Sequence, residues 1–119
     1  MNTQVTLTGL VATTPRQTNG QTRFRLVTVE GEGNDHLASD GSSHSTNWFT
    51  IKCPVSMADN VLQSIQKGNR VILTGDLQVN EWDNGEMTGT TVEIVVSAIG
   101  YDLTYGVSEN TRIFKTEDN

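Results

Sequence analysis

The sequence predicts an all-β fold of five short strands, with one helix between the third and fourth strands. Three observations predict it. Apolar and polar residues alternate with period two in several segments, Asn-Gly pairs typical of hairpin turns separate some of these segments, and a single segment has helical periodicity. The chain has 119 residues, of which 34% are hydrophobic and 11 are glycine, and this composition suits one domain of strands and turns.

The first two strands are predicted at 4–11 and 22–30. Along the first strand apolar residues alternate with threonines, so one face can be buried. The pair Asn19-Gly20 precedes the second strand and favours a tight turn, since both residues tolerate positive φ. The second strand combines a core face with a basic face, formed by Phe24 and Leu26 and by Arg23 and Arg25 respectively.

Residues 31–45 contain almost nothing that a core could bury, and we predict a long, mobile loop of the kind that often takes part in binding. His36 and His44 lie eight positions apart in this loop with no cysteine beside them. This arrangement favours two solvated histidines over a metal pair, and we predict no metal site.

The third strand is predicted at 47–53, where aromatic and β-branched residues concentrate, and Pro54 ends it because proline cannot continue the hydrogen-bond ladder. Cys53 is the only cysteine of the chain and cannot form an internal disulfide. Its apolar neighbours favour a buried side chain over a catalytic one.

The helix is predicted after Pro54, with Ser56 as its N-cap and Asp59 as the acid of a capping box. Lys67-Gly68 provide the cation and the glycine that are typical of a helix end. Apolar residues recur between them at helical spacing, at Ala58, Val61, Leu62 and Ile65.

The last two strands are predicted at 70–79 and 90–99, separated by a turn at Asn84-Gly85. Gly75 lies inside the fourth strand, where an isolated glycine indicates a bulge or a sharp bend. Such a bend lets one strand contribute to two sheets.

This order of elements predicts a five-stranded Greek-key barrel of the OB fold, with the short helix between the third and fourth strands. We assign residues 1–103 to the barrel domain and 104–119 to a polar, flexible tail. Four residues of the second and fourth strands are predicted to form the core, namely Phe24, Leu26, Val71 and Leu73.

The net charge of −6 opposes binding to phosphate when it is taken over the whole chain. Acidic and basic residues are nevertheless segregated: residues 1–29 carry +3, 46–75 carry +2 and 76–99 carry −5. A local basic groove is therefore compatible with the acidic composition.

Seven short segments occur in a specific order and spacing, and they are Leu7-Thr8-Gly9-Leu10, Phe24-Arg25-Leu26-Val27-Thr28, Thr46-Asn47-Trp48-Phe49, Met57-Ala58-Asp59-Asn60-Val61, Lys67-Gly68-Asn69-Arg70-Val71, Gly75-Asp76-Leu77 with Trp82, and Thr91-Val92-Glu93-Ile94. In this the chain resembles the bacterial single-stranded DNA-binding protein family along nearly all of its first hundred positions. The resemblance implies an OB-fold homo-oligomer, a tetramer being favoured over a dimer, that coats single-stranded DNA during replication, recombination and repair.

The same resemblance implies that Trp48 and Trp82 stack on bases, since flat aromatic side chains accept any base. Both tryptophans could instead belong to a core or an interface. Five cations are the candidate phosphate contacts, although each alone could be a solvating charge; they are Arg16, Arg23, Arg25, Lys52 and Arg70.

Several positions depart from the family pattern. Pro54 stands where many members carry a stacking phenylalanine, and Glu32 lies near the position where some members carry a third tryptophan. The hairpin before Trp82 is acidic, whereas in the family it is commonly rich in arginine. The chain ends without the acidic Pro-Phe tip through which many members recruit partners, so recruitment by that route is not expected. We expect weaker DNA binding than a basic, fully aromatic relative shows.

The sequence has no Ser/His/Asp set, phosphate-binding loop, pair of catalytic carboxylates or metal cluster, and we predict a binding protein that is not an enzyme and needs no cofactor. The alternative to DNA binding is an OB-fold protein-interaction module, primosome-like or a regulatory paralogue. Without a signal-peptide pattern or a long apolar run, the sequence predicts a cytoplasmic, nucleoid-associated protein.

Overall fold

The computed structural model describes residues 3–29 and 46–113, so the loop predicted at 31–45 lies outside the described residues. The described chain forms β1 (Thr3–Val11), β2 (Arg16–Thr18), β3 (Gln21–Val29), β4 (Thr46–Cys53), α1 (Val55–Ser64), β5 (Arg70–Asp83) and β6 (Thr88–Tyr101), followed by a 3-10 helix at Leu103–Tyr105. The helix lies after Pro54, as the sequence predicts. Strand β2 was not predicted, because its three residues are too few to show an alternating pattern. None of the helices in these ranges is both long and apolar enough to cross a membrane.

The strands form one sheet in the order β1-β5-β6-β4-β3-β2, and a further pairing of β1 with β3 closes it into a barrel. This closing pairing is short and matches Leu10 with Val27 and Val11 with Leu26. All neighbours are antiparallel except β4 and β6, which run parallel. The predicted all-β OB fold is confirmed, with a sixth, short strand added at the edge beside β3.

The turn between β2 and β3 is the one that the sequence predicts. Asn19 and Gly20 have φ values of 55° and 82°, and Thr18 pairs with Gln21 across them. Two consecutive positive φ values are what a two-residue hairpin turn requires, and Asn-Gly provides them with little strain.

Gly75 marks the bend in β5. The pairing of β5 with β6 shifts register here, because Thr74 pairs with Ala98 whereas Gly75 pairs with Val96. A β-carbon on Gly75 would lie 2.3 Å from the carbonyl oxygen of Val95, so only glycine allows the two backbones to approach this closely. The predicted bend is confirmed, and β5 and β6 both extend further than predicted.

The predicted helix ends are wrong in detail. Helix α1 begins at Val55 behind Pro54 and has no side-chain cap, so Ser56 is not the N-cap. Asp59 instead accepts a hydrogen bond of 2.8 Å from Nε2 of Gln17. The helix ends at Ser64, before Lys67-Gly68, because the chain turns to extended geometry at Ile65 and the backbone N–H of Gly68 donates to the carbonyl of Val11.

The core lies between α1 and the inner face of the barrel, and it contains all four residues predicted for it, Phe24, Leu26, Val71 and Leu73. The hydroxyl of Thr22 donates a hydrogen bond of 2.8 Å to the carbonyl of Ala58 and so fastens α1 to β3. Cys53 is fully buried, and this burial raises the pKa of its thiol to about 12. The thiol therefore stays protonated and packs as a small apolar group, as predicted.

Candidate nucleic-acid interface

The outer face of β3 and β4 carries four of the predicted site residues. Side chains alternate along both strands, with Phe24, Leu26 and Ile51 facing the core. The opposite face is built by cross-strand neighbours: Arg23 pairs with Lys52, Arg25 with Thr50, and Val27 with Trp48. Arg16 extends this face onto β2, where it pairs with Arg23.

A groove of about 490 Å³ opens between these arginines and the segment that follows β1. Its basic lining residues are Arg16, Arg23, Arg25 and Lys67, and we call it the basic groove. No acidic side chain is among the lining residues that the structure describes. Like charges on neighbouring strands repel one another, so this arrangement favours an anion between them.

Lys67 is the member of the basic groove that the sequence did not reveal. Its position after the apolar helical repeat indicated a helix end, whereas α1 ends three residues earlier and Lys67 lies in the connection to β5. The only available signal was the net positive charge of residues 46–75.

Trp48 is 51% exposed on β4, so it is not a core residue of this chain. The guanidinium carbon of Arg25 lies 5.4 Å from the centroid of its ring, within the range of a cation–π contact. The exposed ring of Trp48 therefore lies next to the basic groove, because Arg25 both contacts the ring and lines the groove.

Trp82 lies on the same outer face, further along the hairpin of β5 and β6. Glu93 of β6 pairs with Thr50 on β4 and with Gln78 on β5, and Trp82 is four residues beyond Gln78 on the same side of the strand. The indole is 44% exposed. Both tryptophans therefore present aromatic surface on the outer side of the barrel that carries the basic groove.

Lys52 is on this face but is already engaged. Its Nζ lies 3.0 Å from Oε1 of Glu93, and the same oxygen accepts a hydrogen bond of 3.1 Å from Nδ2 of Asn80. The two charged side chains are largely shielded, at 20% and 16% exposure. A phosphate that contacts Lys52 must compete with the carboxylate of Glu93, which the sequence prediction did not foresee.

The structure does not bring Arg70 together with the other predicted site residues. Arg70 begins β5 and pairs with Leu10 of β1, and it does not line the basic groove. Its Nε lies 3.6 Å from Oδ2 of Asp102 and its guanidinium lies 5.3 Å from the ring centroid of Tyr105. Hydrogen bonds from Thr104, together with the charge of Arg70, lower the pKa of the Asp102 carboxyl. Arg70 thus contacts the 3-10 helix that follows β6.

The hairpin that presents Trp82 is acidic, as its sequence predicted. Glu81, Asp83 and Glu86 are exposed around the turn. Asp83 also shapes the turn, since its Oδ1 accepts a hydrogen bond of 2.8 Å from the backbone N–H of Gly85. The exposed indole of Trp82 is therefore presented from a hairpin whose charges repel phosphate.

A closed OB barrel with exposed aromatic side chains and a basic groove on one outer face defines the class of single-strand nucleic-acid-binding proteins. The chain belongs to the single-strand binding protein family, whose family model matches residues 2–102.

Relatives and solved structures agree with this assignment. Single-stranded DNA-binding protein 2 of Tropheryma whipplei strain Twist is 36% identical over 92% of this chain and 75% of the relative. Single-stranded DNA-binding protein 2 of Streptomyces avermitilis is 32% identical over 89% of this chain and 69% of the relative. The crystal structure of the small single-stranded DNA-binding protein from Streptomyces coelicolor superimposes with a TM-score of 0.73 at 28% identity, covering 89% of this chain and 99% of that one.

Proposed function

We propose that the chain binds single-stranded DNA without reading its sequence, in replication, recombination or repair. The main observation in support is that Trp48 and Trp82 are both exposed on the outer face that also holds the basic groove. Bases of any identity stack on the indoles, while the cations of the groove contact the phosphates. The relatives named single-stranded DNA-binding proteins support this function over an interaction module. Because the family consists of DNA-binding proteins, we propose that the chain has no catalytic activity. We also propose that it is cytoplasmic and associates with the nucleoid.

Titration of the protein with oligo-dT at low salt tests this function, since base stacking quenches tryptophan fluorescence. Saturable quenching by oligo-dT and by a mixed-sequence single strand, with much weaker quenching by the matching duplex, is the expected result. If neither single strand quenches the fluorescence or binds in an anisotropy assay, the proposal is wrong.

The dependence of affinity on salt should be shallow. Four cations line the basic groove, and single strands release about 0.7 counterion per phosphate contact, which gives a slope of log Kobs against log salt near −3 for one occupied protomer. The slope is measured by anisotropy with an oligonucleotide that occupies one protomer. A slope steeper than about −5 would require cations outside the groove, and a slope flatter than about −1 would mean that the groove is not used.

Glu93→Gln should strengthen DNA binding, because it releases Lys52 for phosphate without changing the size of the side chain. A gain of up to about fivefold at low salt is expected, since an ion pair at the protein surface contributes ~0.2–1 kcal/mol. The salt slope should become steeper by about 0.7. Glu86→Gln at the exposed turn is the matched control, because it removes the same charge without releasing Lys52. Equal gains in the two variants would show that only net charge matters.

We also propose a homo-oligomer, with a tetramer favoured over a dimer. Strand β1 pairs with β5 along residues 3–10, whereas on its other side β3 pairs only with Leu10 and Val11 in the described chain. The remaining edge exposes backbone groups that a second copy can pair with. Multi-angle light scattering of the purified protein decides between the two assemblies, and a monomer at micromolar concentration would overturn the proposal.

A further inference from the structure

Trp82 and Gly89 face one another across the hairpin of β5 and β6. A β-carbon on Gly89 would lie 2.2 Å from Cζ2, 2.5 Å from Cε2 and 2.9 Å from Nε1 of the indole. The ring of Trp82 thus occupies the space that a side chain at position 89 would fill. No residue larger than glycine fits there without moving the ring.

Gly89 is the second residue of β6, and a glycine within a strand weakens it because it has no side chain to pack. An aromatic side chain placed over the glycine from the neighbouring strand compensates for this loss. The contact also restrains the aromatic ring, since the ring rests against the backbone of β6. Trp82 keeps 44% of its surface exposed in this position.

We propose that Gly89 is a positioning residue for Trp82, which seats the indole against β6 and leaves its remaining surface ready for a base. The proposal rests on the DNA-binding function proposed above and identifies what orients one of its stacking residues. A ring that is held before DNA arrives loses little rotamer freedom on binding, so its stacking energy appears more fully as affinity.

The first experiment examines Trp82 without DNA, in a Trp48→Phe variant where it is the single tryptophan. The Trp48→Phe variant should show a distinct near-ultraviolet circular dichroism band from a fixed indole, and absence of this band would overturn the proposal. Adding Gly89→Ala should weaken this band, shift the fluorescence maximum to longer wavelength and increase quenching by acrylamide. Unchanged spectra in a folded Gly89→Ala variant would contradict the proposed seat.

The second experiment is a double-mutant cycle on oligo-dT affinity, measured by anisotropy with Trp48 intact. Gly89→Ala should weaken binding about two- to tenfold, the range that corresponds to one immobilised side chain. In a Trp82→Ala background the same substitution should have no further effect, because no ring remains to be positioned. Equal losses in both backgrounds, or no loss in either, would overturn the proposal.

Gly106→Ala is the matched control, since Gly106 has extended backbone geometry and no described residue lies within 4 Å of where its β-carbon would be. It should leave both the spectra and the affinity unchanged. The two proposals fail separately: loss of DNA binding in the parent would remove the proposed function, whereas the spectra of the DNA-free protein decide the role of Gly89 in either case.

Discussion

Replacing Trp82 by alanine is expected to weaken binding of single-stranded DNA by about 5- to 150-fold per occupied protomer, since one stacked base contributes ~1–3 kcal/mol. Trp82 stands on a hairpin whose exposed charges are acidic, so stacking is the main attraction that this hairpin offers to DNA. The described residues around the tip are acidic or uncharged and offer no cation to replace the lost contact.

Trp48→Ala is expected to cost less than Trp82→Ala. The guanidinium of Arg25 lies over the ring of Trp48, and removal of the ring leaves this cation beside the basic groove, where it can contact phosphate. Position 48 therefore keeps an attraction for DNA after the ring is removed, whereas the exposed acidic charges around position 82 repel it.

Anisotropy of labelled oligo-dT measures both losses without depending on tryptophan emission. Val79→Ala is the control for the hairpin, because Val79 is 55% exposed on the opposite side of β5. It should change affinity less than twofold. Losses of equal size in Trp82→Ala and Trp48→Ala would remove the ranking, and a loss below twofold in Trp82→Ala would exclude stacking on this residue.

The elements of the fold were predictable because their signals are local. Alternation along β1 and β3 and the Asn19-Gly20 turn each depend on a few adjacent residues, and tertiary packing did not override them. The start of α1 was missed because Ser56 had the composition of a cap, while the structure places Pro54 there and leaves the helix without a side-chain cap. Capping patterns predict that a helix exists better than they predict its first residue.

The candidate site was predictable in its residue types but not in its pairings. The ion pair of Lys52 with Glu93 joins residues 41 positions apart, and it depends on the parallel register of β4 and β6. The contact of Trp82 with Gly89 likewise depends on hairpin register. Arg70 has the same residue type as the groove arginines, and only the three-dimensional structure separates it from them.

Ile51→Ala is expected to lower the free energy of unfolding by about 2–5 kcal/mol, the range for truncating a fully buried isoleucine that leaves a cavity. Ile51 has no exposed surface and lies between Phe24 of β3 and Ile94 of β6, its direct neighbours in the sheet. Its two neighbours in sequence are Thr50 and Lys52, whose side chains belong to the outer face. Ile51 therefore packs the inner side of the part of β4 whose outer side presents the candidate interface.

Urea unfolding followed by circular dichroism measures this loss, at one fixed protein concentration because association would add to the apparent stability. Ile51→Val should cost about 0.5–1.5 kcal/mol, since it removes only one methylene group. Ile113→Ala is the control of identical chemistry at a 61% exposed position and should stay within about 0.5 kcal/mol of the parent. Equal losses at positions 51 and 113 would contradict the packing of β4 against the core. The folded fraction of Ile51→Val should still bind oligo-dT with the affinity of the parent. The position of Trp48 beside Arg25 depends on the backbone pairing of β3 and β4, and removal of one methylene from the core should leave this pairing unchanged.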